Sequence, residues 1–183
     1  MIDFLLTLFT LKKKKRTGWT LHGIETPESI ADHIFGTTFL AFLLANETYD
    51  VEKCIKLALV HDIHEAILGD LPSSRVSKGK KRKKEEQSFE ILLSTLEIKK
   101  ETIQELWFEY FLRKSKEAKF VRDMDKIEMI FQAFLYAKNY VEHGKDISQL
   151  NLDEFFNSAK EELSTSIGKK MFKTIKREFT LLD

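Results

Sequence analysis

One cysteine, two prolines and seven glycines are all that this 183-residue sequence holds of the residues that staple or bend a chain. A lone Cys54 excludes an internal disulfide and suits a reducing compartment, the cytoplasm. It sits in the apolar run Cys54 to Val60 and reads as a small packed hydrophobe. Gly and Pro together make up about 5% of the chain, against about 12% in average usage. So few turn formers argue against a β-sandwich, a β-barrel or a Gly-rich phosphate cradle, and for long helices.

Charge of one sign is also lacking. Thirty Lys and Arg face 29 Asp and Glu, for a net +1, so no whole-surface field draws in nucleic acid or a membrane, and neither is an expected partner. The apolar start, Met1 to Leu11, is too short for a membrane span of about 20 residues. Its basic run, Lys12 to Arg16, follows the apolar stretch, whereas a signal peptide carries its charge first. Phe4, Leu5, Leu8 and Leu11 recur at helical spacing and predict a short amphipathic helix, over about residues 1–15, packed on the core.

The chain is 43% hydrophobic and 32% charged, which describes one globular domain whose size buries roughly 70% of its unfolded surface. Helical periodicity recurs throughout, no period-2 pattern competes, and the expected fold class is all-α. One helix is predicted from Pro27 to about Asn46, with Thr26 as its N-cap and Ile30, His33, Ile34, Thr37, Leu40, Ala41 and Leu44 facing inward. A second is predicted over Val51 to Leu68, ended by Gly69 and Pro72. About residues 73–86 read as a solvated basic loop, because Arg75 to Lys84 holds seven basic residues in ten positions. Apolar stripes resume at Phe89, Leu92, Leu93 and Leu96, then from Ile103 to Phe111. A long helix follows from about Ser115 to Glu142, and two more cover Asp153 to Leu163 and Ser166 to Thr180.

The informative cluster is His61-Asp62-Ile63-His64-Glu65, four titratable groups in five positions amid apolar neighbours. Burying such groups costs several kcal/mol unless they are paired or ligated. Helical spacing brings His61, Asp62 and Glu65 to one side, where a cation would compensate them. His33, on the inward stripe of the preceding helix, and Asp125, in the run Arg122-Asp123-Met124-Asp125-Lys126, can join them. Two His and two Asp form a mixed nitrogen and oxygen set suited to a divalent ion such as Mn, Fe, Co, Zn or Mg.

The pattern His33, His61-Asp62, Asp125 resembles the HD-domain metal-dependent phosphohydrolases. Arg16-Thr17-Gly18-Trp19, Pro27 to His33, Ala58 to Asp62 with Glu65-Ala66 and Gly69-Asp70, and Phe120 to Met129 are similar to its 5′-deoxynucleotidase branch, over nearly the whole chain. That resemblance implies metal ligation by His33, His61, Asp62 and Asp125, with Asp123 the competing carboxylate. It implies a role for Glu65 in activating the attacking water, for Asp70 near the sugar, and for Arg16 and Trp19 at the phosphate and nucleoside. The implied activity releases phosphate from deoxyribonucleoside 5′-monophosphates. The implied assembly is a homodimer. Two positions depart from the pattern. His64 stands where a small residue is expected, and can add a ligand, bind phosphate or face solvent. Gly36 replaces a larger basic residue, so a phosphate or carboxylate contact is expected to be missing. His22 and His143 read as surface residues, and Glu86 as a candidate to approach the metal site.

Overall fold

The computed structural model describes residues 1–72 and 76–182, apart from the Lys78 side chain. Among them the helices follow in order: α1 (Ile2–Leu8), α2 (Thr17–Leu21), α3 (Ile30–Leu44), α4 (Val51–Val60), α5 (Glu65–Leu68), α6 (Lys78–Ser94), α7 (Lys100–Phe111), α8 (Lys116–Glu142), α9 (Asp153–Glu162) and α10 (Ser166–Thr180). The fold is all-α, as expected. One isolated antiparallel bridge, Lys15 with Ser29, is the only extended pairing among the described residues. None of the described helices is long and apolar enough to cross a membrane.

The N-terminal helix is shorter than expected. It gives way to a 3-10 turn over Phe9–Lys12, and buries Phe4 and Leu11. From there the chain runs to the start of α3, where the bridge sets the geometry. The Arg16 amide donates to the Glu28 carbonyl (3.1 Å) and the Ile30 amide to the Lys14 carbonyl (2.9 Å). Those bonds hold the segment before α3 extended, so the helix starts at Ile30 rather than Pro27. Its cap is Ser29, not Thr26: the Ser29 hydroxyl accepts from the Asp32 amide (3.1 Å), and the Asp32 carboxylate accepts from the Ser29 amide (2.8 Å). This reciprocal box satisfies two amides that a bare helix end would leave open.

The helix expected over Val51 to Leu68 is broken in two. Asp50 caps α4 by accepting from the Lys53 amide (3.0 Å). At the other end the His61 ring donates from Nδ1 to the Ala58 carbonyl (2.6 Å), the group that a continued helix would offer to the Asp62 amide. Residues 61–64 turn tightly through three-residue bonds, Glu65 amide to Asp62 carbonyl and Ala66 amide to Ile63 carbonyl, both 3.0 Å. The chain then makes the single turn of α5 and leaves through Gly69, whose φ of +74° favours glycine.

The basic stretch is not a loop from Lys78 onward. Residues 73–75 of that expected loop lie outside the described residues, but the rest opens α6. Lys and Arg are good helix formers, and ion pairs one turn apart, Lys81 with Glu85 (3.7 Å) and Arg82 with Glu86 (3.3 Å), support the helix. The same helix then buries Phe89, Leu92 and Leu93.

Helix α8 is the central strut, packed by α3, α4, α7, α9 and α10. The buried apolar side chains form two clusters, of which the first is built on α8. One gathers Trp19, Cys54, Leu57, Phe120, Met124, Ile127 and Phe156, and the other Ile30, Ile34, Val60, Phe89, Leu92 and Trp107. Cys54 is fully buried, as expected of a packed thiol. Helices α3 and α4 contribute to both clusters, and His33 and His61 lie at the seam.

Candidate metal centre

Four elements meet at that seam. Helix α3 supplies His33, the tight turn supplies His61 and Asp62, α8 supplies Asp125, and α5 supplies Glu65. The Nε2 atoms of His33 and His61 are 3.3 Å apart. Asp62 Oδ2 is 3.3 Å from His61 Nε2 and 3.7 Å from His33 Nε2, and Asp125 Oδ1 is 3.3 Å from His33 Nε2. His33 and His61 are buried to within 1% of completely. The two imidazoles and Asp62 bring their ligand atoms within 4.8 Å of one another, and Asp125, the fourth residue expected from the sequence, reaches the cluster at His33.

The surroundings orient each donor. His33 Nδ1 donates to Glu128 Oε2, and His61 Nδ1 to the Ala58 carbonyl, so each Nε2 faces the seam. Burial alone would lower His33, but Glu128 and Asp125 on its two nitrogens outweigh it and hold the ring up at about 10. Asp125 Oδ2 accepts from the Tyr110 hydroxyl (3.0 Å) and from Arg122 (2.9 Å), which leaves Oδ1 turned toward His33. Burial raises Asp62, yet the His61 and His33 rings hold it well below the ordinary carboxylate range.

Asp123 is occupied elsewhere. Its carboxylate accepts from the Ser164 and Thr165 amides (3.0 and 2.7 Å) and from both hydroxyls, at the connection into α10.

Glu65 and Arg16 stand beside the donors. Burial, and then Asp62, push the Glu65 carboxyl well above its usual range. Its Oε2 has no hydrogen-bond partner. Arg16 lies 3.7 Å from Asp62, 4.0 Å from Glu65 and 3.5 Å from Asp70. Asp70 also accepts from the Thr17 amide (2.6 Å), so it fixes the backbone that carries Arg16. Lys14, from a run that looks merely solvated in sequence, donates to the Ala66 carbonyl (2.6 Å) and closes the end of α5.

Several expected placements change. Trp19 is 1% exposed and packs edge-on against Tyr136 and against Phe155, so its faces are not open to stack on a base. Its indole N–H donates to Glu28 Oε1 (2.8 Å). Burial, and then Glu128, push Glu28 up to about 7. Glu86 pairs outward with Arg82; the inward acid of α6 is Glu85, 4.0 Å from His64 Nε2. His22 is half-buried, with its ring against Phe155 and Nδ1 at 2.9 Å from the Leu150 carbonyl, whereas His143 is exposed as expected. His64 is 4% exposed, and burial pushes its ring down to about 4. The Gly36 departure has a local consequence: a Cβ there would fall 2.9 Å from Glu128 Cγ and Oε1. Glycine lets the Glu128 carboxylate lie against α3 and reach His33.

Glu28, Glu85, Tyr110, Arg122, Lys14 and Glu128 are thus parts of the site that sequence reasoning did not single out. A signal existed for Glu128 alone, one turn beyond Asp125 on the same face of α8.

A family model described as HD domain matches residues 9–170. The chain belongs to the HD-domain family. Among its relatives, the 5′-deoxynucleotidase hdd1 of Schizosaccharomyces pombe is 41% identical over 81% of this chain and 78% of its own. The human 5′-deoxynucleotidase HDDC2 is 37% identical over 74% of this chain and 68% of its own. The crystal structure of the PH0347 protein from Pyrococcus horikoshii is 36% identical and superposes with a TM-score of 0.76 over 99% of both chains.

Proposed function

We propose that this chain is a metal-dependent phosphohydrolase that removes the 5′-phosphate from deoxyribonucleoside monophosphates, and that His33, His61, Asp62 and Asp125 hold its divalent ion. The observation that carries the reading is the convergence of two Nε2 atoms and Asp62 Oδ2 at 3.3–3.7 Å. Two buried imidazoles whose other nitrogens are engaged turn both Nε2 atoms to one point, where a divalent ion can take the place of a shared proton. The 5′-deoxynucleotidase names of the relatives support the substrate class. Mn, Co, Fe, Zn and Mg all suit the donor set.

A divalent ion held there supplies Lewis acidity to a phosphate oxygen and to the attacking water. Arg16, always charged and half-committed to three carboxylates at 3.5–4.0 Å, can turn its fork of donors onto the phosphate. Glu65 holds a proton beside the ester, because burial raises its carboxyl well above its usual range. Asp70 positions Arg16 and lies where a sugar hydroxyl can reach it. Glu128 positions His33. Trp19 acts through Glu28 rather than by stacking.

Helix α3 exposes Phe35, Phe39, Phe42 and Leu43, and α8 exposes Phe131 and Leu135. Neighbouring helices that leave this much aromatic surface uncovered suit a homodimer. The cytoplasm is the compartment of this reading, where nucleotides and reducing conditions suit the substrate and the lone thiol.

The reading is tested by stripping the protein, reloading it with single divalent metals, and measuring phosphate release from deoxyribo- and ribonucleoside mono- and triphosphates. Metal-dependent release from deoxyribonucleoside monophosphates is expected, and Asp62→Ala should abolish it. Release only from triphosphates refutes the substrate class. Equal rates in Asp62→Ala refute the metal role.

A further inference from the structure

We propose that Tyr110 and Glu162 are positioning residues for the metal centre, which together hold Arg122 and Asp125 so that Asp125 offers an ion Oδ1 alone. The proposal rests on the metal reading of His33, His61, Asp62 and Asp125, and adds α7 and α9 to the elements that build the site.

A carboxylate free to rotate can give an ion one oxygen or both. In Asp125 the two oxygens are treated differently. Oδ2 accepts from the Tyr110 hydroxyl at 3.0 Å and from Arg122 Nη1 at 2.9 Å, whereas Oδ1 lies 3.3 Å from His33 Nε2. Arg122 Nη1 also donates to the Tyr110 oxygen at 3.2 Å, so hydroxyl, guanidinium and carboxylate close a ring of hydrogen bonds. Tyr110 is 5% exposed, and its ring meets the His61 imidazole edge-on at 5.3 Å. A single residue of α7 therefore touches two of the expected ligands, which come from two other elements.

An arginine beside a carboxylate frequently takes both of its oxygens with two parallel N–H donors, a pairing that would compete with an ion for Oδ1. Glu162 prevents it. Its Oε2 accepts from the Nε and Nη2 edge of Arg122 at 3.4 and 3.1 Å, which leaves Nη1 for Asp125. Its Oε1 lies 3.3 Å from Lys126 Nζ, so the cation that follows Asp125 in the chain is also drawn to α9. The consequence is a fixed number of donor atoms. Two imidazole nitrogens with single oxygens from Asp62 and Asp125 leave an ion of octahedral preference with positions for water and a phosphate oxygen. An Asp125 that gave both oxygens would close one of them. Tyr110 and Glu162 thus act through Asp125 and not on the ester.

Metal-free protein is titrated with Co(II), with affinity read by calorimetry and the ligand set by the visible ligand-field spectrum. Tyr110→Phe removes only the hydroxyl; it should weaken binding about ten- to a hundredfold and alter the spectrum. Glu162→Gln removes only the charge on α9 and should act in the same direction. Arg113 pairs with Glu162 at 2.8 Å from an exposed position, and Arg113→Gln, the control, should change neither reading. In an Asp125→Ala background Tyr110→Phe should have no further effect on affinity, because the residue it positions is gone. Unaltered affinity and spectrum in Tyr110→Phe overturn the proposal, as does an equal loss in the Asp125→Ala background, which marks a purely structural role. If Tyr110→Phe loses its cooperative melt, Glu162→Gln decides: unchanged affinity and spectrum overturn the proposal. No Co(II) bound by the unaltered protein refutes the metal reading itself, and the proposal with it.

Discussion

Gly36→Ala tests how the fold aims His33. Gly36 lies in the interior of α3, where Gly→Ala ordinarily stabilises a helix by about 0.8–1.0 kcal/mol. Here the added methyl would sit 2.9 Å from Glu128 Cγ and Oε1, closer than van der Waals contact allows. Glu128 is 7% exposed and bonded to His33 Nδ1, so it can move only by releasing that bond. A hydrogen bond to a charged group contributes about 1.5–3 kcal/mol. Subtracting the helix gain leaves a net loss of about 0.5–2 kcal/mol. The effect on metal is larger relative to its cause: losing the carboxylate behind a ligating histidine costs about ten- to a hundredfold in affinity. Gly79 in α6 is the control, because a Cβ there meets nothing within 4 Å. Urea unfolding and metal titration calorimetry on both variants decide the matter. Gly36→Ala should be less stable and bind metal more weakly, while Gly79→Ala should be neutral or slightly stabilised with unchanged affinity. A Gly36→Ala protein that is stabilised and binds metal normally would refute the positioning role of Glu128.

Metal binding should release a proton, because His33 is held up at about 10 in the metal-free protein and only a neutral imidazole ligates. Affinity should rise with pH, up to about tenfold per unit as pH climbs toward 10; calorimetry in buffers of different ionisation enthalpy that detects no proton release would contradict this. The same raised value stabilises the metal-free fold fully below about pH 6.5, and that contribution should fade as pH rises toward 10. For the dimer, Phe39→Glu removes a half-exposed aromatic from the α3 face, and burying one such side chain contributes about 1.5–3 kcal/mol. Sedimentation velocity should show the unaltered protein as a dimer and the variant as a folded monomer; a monomeric unaltered protein at tens of micromolar refutes the interface.

What was legible in the sequence was whatever burial alone could force. Four titratable groups in an apolar helix demanded compensation, and His33 and Asp125 lay on inward stripes that could supply it. The choice between Asp123 and Asp125 has a geometric basis: two residues apart on α8 means opposite faces, and Asp123 faces the Ser164-Thr165 connection. What stayed hidden depended on contacts far along the chain. The cap of α3 moved to Ser29 because Lys15 pairs across to it, and no local propensity records that bridge. Glu85 and Glu86 are adjacent, so a 100° rotation decides which one faces His64, and the rotation is set by Phe89 and Leu92 packing below. Trp19 carries no mark to separate a base-stacking ring from one sealed against Tyr136 and Phe155. Charge density alone marks the basic run as a loop, whereas the helix propensity of Lys and Arg makes it the opening of α6.

The charge ledger inside the seam explains why these departures cohere. Asp62, Glu65, Asp70 and Asp125 crowd around Arg16, and Glu28 and Glu128 crowd around His33. So many carboxylates exceed the fixed cations beside them, and in the metal-free protein the difference is met by protons: Glu65 is driven well above its range, Glu28 to about 7 and His33 to about 10. A divalent ion replaces such protons, with one charge centre satisfying several donors at once. Gly36 acts on one side of this balance. Glycine leaves the Glu128 carboxylate room to lie against α3 and bond His33. With Glu128 fixed on Nδ1, the proton that a divalent ion would replace is the one on His33 Nε2.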